Sequence, residues 1–274
     1  MYERGATEEG LEMATSTLRP VVEKAGAALG VTITGIDLAE PQDDATYAAL
    51  RSALLEHLVV VFPNQAYLTP QQQIAFARRW GTLQPHPYVE PVDGHPEIMR
   101  VYDPTPLTAT WHTDFTYAPQ PPSMSILLAR VVPDIGGDTL FSNAYMAFER
   151  LSPGYREMLL DLRALHEATE MGFNSGLPET ELRNIHPVVT IHPETGRRSL
   201  FVNADYTKCI DGWTGQESKG VLEFLYSRFA QPELTFRHHW QVGDLLIWDN
   251  RCTQHRVVPD TGGGERTLHR ITVA

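Results

Sequence analysis

The sequence holds few cysteines and no long apolar run. Its 274 residues include two cysteines, Cys209 and Cys252, too few for a disulfide framework or a thiolate metal cage. No stretch approaches the roughly 18 uninterrupted apolar residues that a membrane-spanning helix needs. Residues 1–19 are mixed and polar, without the apolar core of a signal peptide. We therefore expect a cytoplasmic protein that does not associate with a membrane.

Positive charge is also scarce. Lysine and arginine total 22 against 34 aspartate and glutamate residues, which gives a net charge of −12. Phosphate backbones and anionic lipids repel such a chain, so we expect neither nucleic acid nor a membrane surface as a partner. A small anionic molecule would still bind where basic side chains are concentrated locally.

Apolar residues make up 42% of the chain. They fall in short runs separated by glycine and proline, which is typical of strands joined by turns. The predicted strands cover residues 31–38, 59–62, 97–102, 123–129, 139–142, 187–191, 199–202, 234–240, 244–248, 254–258 and 267–273. This pattern predicts a mainly β fold with peripheral helices, a sandwich or barrel. We expect a single domain over residues 17–274 after a flexible tail over residues 1–16.

Helices are predicted where apolar residues recur at helical spacing or where a capping pattern begins. Thr69 and Thr214 are candidate N-caps, followed three residues later by Gln72 and Glu217 respectively. The predicted helices cover residues 45–58, 70–80, 143–166 and 215–230. Residues 193–196, Pro-Glu-Thr-Gly, predict a turn between two strands.

The first motif with chemical potential is Trp111-His112-Thr113-Asp114. In extended backbone, residues two apart point to the same side, so an imidazole nitrogen and a carboxylate oxygen can meet at one point. A single motif of this kind is weak evidence, because most such tripeptides are ordinary surface or hydrogen-bonding residues.

A second histidine strengthens the case for a metal site. His255 lies at the end of the segment that starts at Trp248, after an apolar strand. Two histidines and one carboxylate form the facial triad of non-haem Fe(II) oxygenases, which leaves coordination positions open for a co-substrate and oxygen. Taken alone, His255 would be interpreted as an ordinary core or surface histidine.

Two arginines follow on the last predicted strand. Arg266 and Arg270 are four residues apart and share a face of a regular strand. Planar guanidinium groups match carboxylate or sulfonate anions, so the pair predicts anion binding. The alternative is a solvated basic edge strand, where charge hinders edge-to-edge pairing.

Together these motifs resemble the taurine/α-ketoglutarate dioxygenase family of Fe(II)- and 2-oxoglutarate-dependent oxygenases. The resemblance extends from about residue 28 to the C-terminus and rests on four motifs in order. The motifs are Trp111–Asp114, Gly136–Thr139, Trp248–Arg251 followed by His255, and Arg266–Arg270.

The resemblance implies a double-stranded β-helix (jelly roll), homodimeric or homotetrameric assembly, and an oxidation that consumes 2-oxoglutarate and O2 and releases succinate and CO2. It implies catalytic Fe(II) held by His112, Asp114 and His255. It also implies contacts from Thr139 and Arg266 to the distal carboxylate of 2-oxoglutarate. The residues implied in substrate binding are His86, Tyr88, Thr108, Tyr206 and Arg270.

Two positions depart from the taurine-specific pattern of the family. The segment His86-Pro87-Tyr88-Val89 places its aromatic one residue earlier than the His-Pro-Val-Tyr-like segment of those enzymes, and Thr108 stands in place of an asparagine. In taurine-specific enzymes these two positions would contact the amine of taurine, whereas Arg270 matches the arginine that binds the substrate anion. The resemblance therefore implies a small anionic substrate, such as a sulfonate, a sulfate ester or a carboxylate, rather than taurine in particular.

Two other functions remain open on the sequence. One is a related β-barrel enzyme that uses zinc or manganese without 2-oxoglutarate, which would leave Arg266 and Thr139 without a ligand. The other is a non-catalytic small-molecule-binding module that keeps the jelly roll.

Overall fold

Strands that pair across long sequence separations form most of the fold. The structure is a computed structural model that describes residues 20–102 and 109–274. The strands are β1 (Val21–Lys24), β2 (Val31–Thr34), β3 (Val59–Phe62), β4 (Pro91–Val92), β5 (His95–Tyr102), β6 (Met124–Val131), β7 (Thr139–Asn143), β8 (Arg163–Glu167), β9 (Arg183–Pro187), β10 (Val189–Ile191), β11 (Arg198–Leu200), β12 (Thr207–Ile210), β13 (Thr235–His238), β14 (Leu245–Asp249), β15 (Thr253–Val257) and β16 (Thr267–Val273).

The strands form one large sheet and three small ones. The large sheet has eight strands in the order β1-β2-β3-β14-β6-β16-β5-β4, and the small sheets have the orders β13-β7-β15, β12-β8-β9 and β10-β11. Pairing is antiparallel except between β2 and β3. These orders interleave early and late parts of the chain, so residues from distant motifs reach one side of the large sheet.

Both faces of the large sheet are buried at its central strands β3, β14 and β6. In β3, Val60 and Phe62 pack under the helices, whereas Val59 and Val61 face the opposite side and meet Phe141 of β7. This period-two alternation creates a second core between the large sheet and the sheet β13-β7-β15. The arrangement confirms the prediction of a mainly β fold with peripheral helices, a double-stranded β-helix.

Two helices, α2 and α7, begin where the capping patterns predict. The helices of the described residues are α1 (Asp44–His57), α2 (Pro70–Arg78), α3 (Ala144–Glu149), α4 (Pro153–Leu159), α5 (Glu170–Phe173), α6 (Glu179–Leu182) and α7 (Gly215–Phe229). Thr69 caps α2 together with Gln72, and Thr214 caps α7 together with Glu217, both in complete capping boxes. No helix in the described parts of the chain is long and apolar enough to cross a membrane.

The predicted helix over residues 143–166 is wrong at its end. The segment contains α3 and α4 and then turns into β8, which pairs with β9 and β12. Leucine, alanine and arginine in this segment favour a helix locally, but Ala164 and His166 are buried by the sheet while Arg163 is exposed. Tertiary pairing therefore overrides the local preference.

Smaller differences concern strand boundaries and the chain ends. The predicted strand 187–191 corresponds to β10 and to the last residue of β9. The sequence did not predict β1, β4, β12 or the rest of β9. The predicted tail over residues 1–16 lies outside the described residues, so the division into tail and domain stays a prediction.

The burial of His166 predicts a pH-dependent stability. Burial lowers the pKa of His166 from 6.5 to about 3, so the folded protein keeps the imidazole neutral where the unfolded chain would protonate it. Its contribution to stability is complete above pH 6.5 and is lost as the pH falls toward 3. Linkage gives a loss of about 1 kcal/mol between pH 6 and pH 5.

We expect His166→Phe to remove this share of the pH dependence. Urea unfolding of the wild type and the variant at pH 6 and pH 5 measures it, and histidines that do not contact His166 cancel in the difference. If the free energy of unfolding of the variant falls between pH 6 and pH 5 as much as that of the wild type, the fold does not hold His166 neutral.

Candidate active site

An antiparallel bridge places the two predicted metal histidines side by side. The His112 amide donates to the His255 carbonyl at 3.0 Å, and the His255 amide donates back at 2.8 Å. The two imidazole centroids are 4.2 Å apart. Residues 143 positions apart in the sequence are thus joined by one pair of backbone hydrogen bonds.

Asp114 completes the predicted triad. Its Oδ1 lies 3.8 Å from His112 Nε2 and 3.7 Å from His255 Nε2, and all three residues are buried. Their ligand atoms lie within 4.8 Å of one another. Two imidazole nitrogens and one carboxylate oxygen at this spacing fit a divalent metal bound on one face.

The protonation states of Asp114 and His255 are those that metal binding requires. Burial alone would raise the pKa of Asp114, but the adjacent Arg270 guanidinium outweighs burial and holds that pKa well below its usual range. Burial and the neighbouring His112 keep the pKa of His255 well below its usual value. An ionised carboxylate and a neutral imidazole are the forms that coordinate metals.

The orientation of His112 is fixed on its far side. Its Nδ1 lies 2.9 Å from the carbonyl of Thr110 and 3.5 Å from the Asp205 carboxylate. Two acceptors at Nδ1 favour the tautomer with the proton there, which leaves Nε2 as the lone-pair donor toward the site. The sequence did not predict the contact of Asp205 with His112, because no motif connects the two residues.

The other oxygen of Asp114 is held separately. Its Oδ2 lies 2.7 Å from Ser125 Oγ and 2.6 Å from an Arg270 amino group. One carboxylate oxygen therefore faces the histidines while the other is tied to the protein and to a predicted substrate residue.

The predicted 2-oxoglutarate residues are in direct contact. Arg266 is 1% exposed and donates to Thr139 Oγ1 at 3.3 Å and to the Gly137 carbonyl at 3.0 Å. Thr139 Oγ1 also accepts from Trp240 Nε1 at 2.9 Å. With two donors already on this oxygen, the Thr139 proton is left to donate to a third group. The pair fits a carboxylate, which takes one bond from each.

Glycine is required in the loop that presents Thr139. Gly136 and Gly137 have φ angles of 83° and 70°, a region that residues with side chains rarely adopt. A Cβ on Gly136 would lie 2.1 Å from the Asp260 carbonyl oxygen. The Gly-Gly-Asp-Thr motif thus has a steric basis.

A cavity of about 470 Å³ joins these groups. Four of the predicted substrate residues line it together with the metal triad and Arg266: His86, Tyr88, Tyr206 and Arg270. Thr108 lies outside the described residues, so its role stays a prediction. The cavity therefore brings together every predicted site residue that the structure describes.

Phe115 is a cavity residue that the sequence did not single out. It follows Asp114 with a φ of 47°, an uncommon conformation for a non-glycine residue that concentrates at functional sites. Its ring lies 5.2 Å from the Arg270 guanidinium and 5.1 Å from the His86 ring. Phe115 therefore packs against both candidate anion-binding side chains.

A second buried cluster contains ligand-type residues but is hydrogen-bonded internally. His192 Nε2 lies 3.0 Å from Asp249 Oδ2, and Arg251 also donates to that carboxylate. His192 Nδ1 accepts from the amides of Glu194 and Thr195, so the proton is on Nε2. The cluster fixes the turn that precedes β15 and His255 rather than offering metal ligands.

Comparison with known proteins points to one family. The sequence profile described as "Taurine catabolism dioxygenase TauD, TfdA family" matches residues 17–272. The alkylsulfatase of Acinetobacter baylyi is 35% identical over 90% of this chain and 82% of its own length. The alpha-ketoglutarate-dependent sulfate ester dioxygenase of Pseudomonas putida is 34% identical over 96% of this chain and 92% of its own.

A solved structure agrees in fold. The crystal structure of a taurine dioxygenase from Burkholderia xenovorans superimposes with a TM-score of 0.83 at 37% identity. The match covers 93% of this chain and 89% of that protein.

Replacing His255 with alanine tests the metal site. The variant keeps two of the three ligands, so we expect Mn(II) affinity to fall by more than the roughly 100-fold that loss of an outer-shell partner costs. Isothermal titration calorimetry of the metal-free protein with Mn(II) measures this affinity. His95→Ala, which changes a histidine at the start of β5, serves as the control. Equal Mn(II) affinity in the wild type and His255→Ala would exclude His255 as a ligand.

Proposed function

We propose that this chain, which belongs to the taurine catabolism dioxygenase TauD, TfdA family, oxidises a small sulfate ester, sulfonate or carboxylate. It is a 2-oxoglutarate-dependent non-haem iron dioxygenase. The alternatives of a non-catalytic or differently metallated module have less support, because relatives named as dioxygenases match nearly the whole chain.

Arg270 carries the proposal of an anionic substrate. Its amino group pairs with Asp114 and Ser125, while its Nε is buried without a hydrogen-bond partner among the described residues. A buried guanidinium donor without a partner is costly, and Arg270 lines the cavity. A sulfonate, sulfate or carboxylate group would supply the missing acceptor.

His86 offers a second donor to the same anion. Its Nδ1 accepts the amides of Tyr88 at 3.3 Å and Val89 at 3.1 Å, so the proton is on Nε2. Burial, with a further effect of the Arg270 charge, lowers the pKa of His86 to about 4. At neutral pH His86 is therefore an uncharged imidazole whose N–H can bind the substrate.

Aromatic residues supply the wall for the organic part of the substrate. The hydroxyls of Tyr88 and Tyr117 are 3.1 Å apart, and the rings of Tyr117 and Tyr206 are 5.1 Å apart. Burial raises the pKa of Tyr206, as do the carboxylates of Asp114 and Asp205, so the phenol stays neutral. Tyr88 and Tyr206 line the cavity beside the metal site.

The division of roles follows from these contacts. His112, Asp114 and His255 would hold the iron, which would supply the activation of O2 that the oxidation requires. Arg266 and Thr139 hold the distal carboxylate of 2-oxoglutarate at one end of the cavity. Arg270 and His86 hold the anionic end of the substrate, so each reactant has its own cation.

Location and assembly are separate proposals. We expect a cytoplasmic enzyme that forms a homodimer or homotetramer, as in the family that the sequence resembles. Size-exclusion chromatography with light scattering measures the assembly.

Arg270→Ala tests the substrate class. Loss of a charge-assisted hydrogen bond costs about 1.5–3 kcal/mol, so we expect the KM of an alkyl sulfate or sulfonate to rise about 10- to 150-fold. Because Arg270 also pairs with the metal ligand Asp114, the assay is run at saturating Fe(II), where the co-substrate KM should rise less than the substrate KM. Succinate release is measured with alkyl sulfates, sulfonates, carboxylates and the uncharged alcohol of equal length. Arg78→Ala, at an exposed site that pairs with Glu97, is the matched control.

The rates with the anionic substrates and with the uncharged alcohol show whether the enzyme requires an anionic group. A wild-type enzyme that oxidises the alcohol as well as the anions, or an Arg270→Ala enzyme with unchanged substrate KM, would contradict the anionic class.

Thr139→Val tests the contact with the co-substrate, 2-oxoglutarate, with little change in shape. One neutral hydrogen bond contributes about 0.5–1.5 kcal/mol, so the co-substrate KM should rise about 2- to 12-fold. Thr190→Val on β10 provides the control. An unchanged co-substrate KM in Thr139→Val would remove Thr139 from the co-substrate site.

A further inference from the structure

Asp114 Oδ2 is the centre of a buried hydrogen-bond network that none of the predicted roles uses. Ser125 Oγ donates to it at 2.7 Å, and Arg270 donates to it at 2.6 Å. Asp114 is 3% exposed and Ser125 is 0% exposed. In this setting each missing bond leaves a desolvated charge less compensated.

The strand register places Ser125 in this position. Ser125 pairs with Trp248 on one side and with Thr272 on the other. In β6, Leu127 belongs to the core between the sheets, and residues two apart share a face. Ser125 therefore points to the same side as Leu127, toward the metal site.

The direction of the Ser125 proton is fixed by its neighbours. Ser125 Oγ accepts from Asn250 Nδ2 at 3.0 Å and from Arg270 at 3.2 Å. Asn250 is itself oriented, because its Oδ1 accepts from Trp248 Nε1 at 2.8 Å. A hydroxyl has two acceptor sites and one proton. With both acceptor sites used, the proton goes to Asp114.

We propose that Ser125 is a positioning residue that holds Asp114 in single-oxygen coordination and joins it to Arg270. The inference rests on the proposed function. Carboxylates bind metals through one oxygen or both, and a second oxygen would occupy a position that 2-oxoglutarate or O2 needs. The Ser125 hydroxyl and Arg270 keep Oδ2 on the protein side, so that Oδ1 alone faces the histidines.

Substrate binding makes Ser125 more important. Arg270 pairs with Asp114 through its amino group and is also the proposed ligand of the substrate anion, so a bound anion shares the charge of the same guanidinium. Ser125 then supplies a donor to Oδ2 that the substrate does not share. Loss of the hydroxyl should therefore weaken metal binding and also raise the fraction of 2-oxoglutarate that is consumed without product.

Ser125→Ala tests the inference without adding volume to the core. We expect the Mn(II) dissociation constant of the metal-free protein to rise 10- to 100-fold, as for loss of other outer-shell partners. In the iron-loaded enzyme, the ratio of oxidised product to succinate should fall. Ser125→Thr restores a hydroxyl and should recover most of the Mn(II) affinity.

Ser199→Ala is the matched control. Ser199 is also 0% exposed, and its hydroxyl has no partner among the described residues. The same chemical change there should leave the Mn(II) affinity and the product ratio unaltered. Thermal melting of both variants shows whether each folds. If Ser125→Ala does not fold, Asn250→Ala removes the donor that orients Ser125 and should weaken Mn(II) binding several-fold.

The outcomes separate this inference from the proposed function. Wild-type protein that binds no Mn(II) would contradict the function itself. Wild-type binding with equal affinity in Ser125→Ala, or an equal loss in Ser199→Ala, would overturn only the role of Ser125.

Discussion

The ion pair between Asp114 and Arg270 is the contact on which the site depends. A buried carboxylate without a partner is unfavourable by several kcal/mol. The two imidazoles supply no positive charge to Asp114, because they bind a metal in their neutral form. Arg270 supplies the positive charge that keeps Asp114 ionised in 97% burial. The same guanidinium lines the cavity, so one residue serves the metal ligand and the proposed substrate anion.

The fold makes this contact possible by burying both faces of one sheet. Core residues of β3, β6 and β14 alternate between the helix side and the inner side. A shift of one residue would exchange the two faces. Ser125 on β6 and Arg270 on β16 therefore reach Asp114 only in the register that also packs the core. The geometry of the site and the stability of the fold rest on the same strand pairings.

The sequence predicts those features that have local or motif-based causes. Capping boxes at Thr69 and Thr214 depend on residues three apart, and both are present. The triad and both arginines lie in motifs with strong resemblance to one family. The strand β8 could not be predicted, because its residues favour a helix and only pairing with β9 and β12 makes them a strand.

The unpredicted site residues share one property: their partners are distant in the sequence and are met only through strand register or loop packing. Trp240 meets Thr139 across 101 positions, and Asn250 meets Ser125 across 125. Serine, tryptophan and asparagine are also common in ordinary packing, so their residue type alone does not indicate a role in the site. The family motifs thus identify residues that line the cavity. The groups that orient them emerge only from the packed structure, where one hydroxyl decides which carboxylate oxygen faces the metal position.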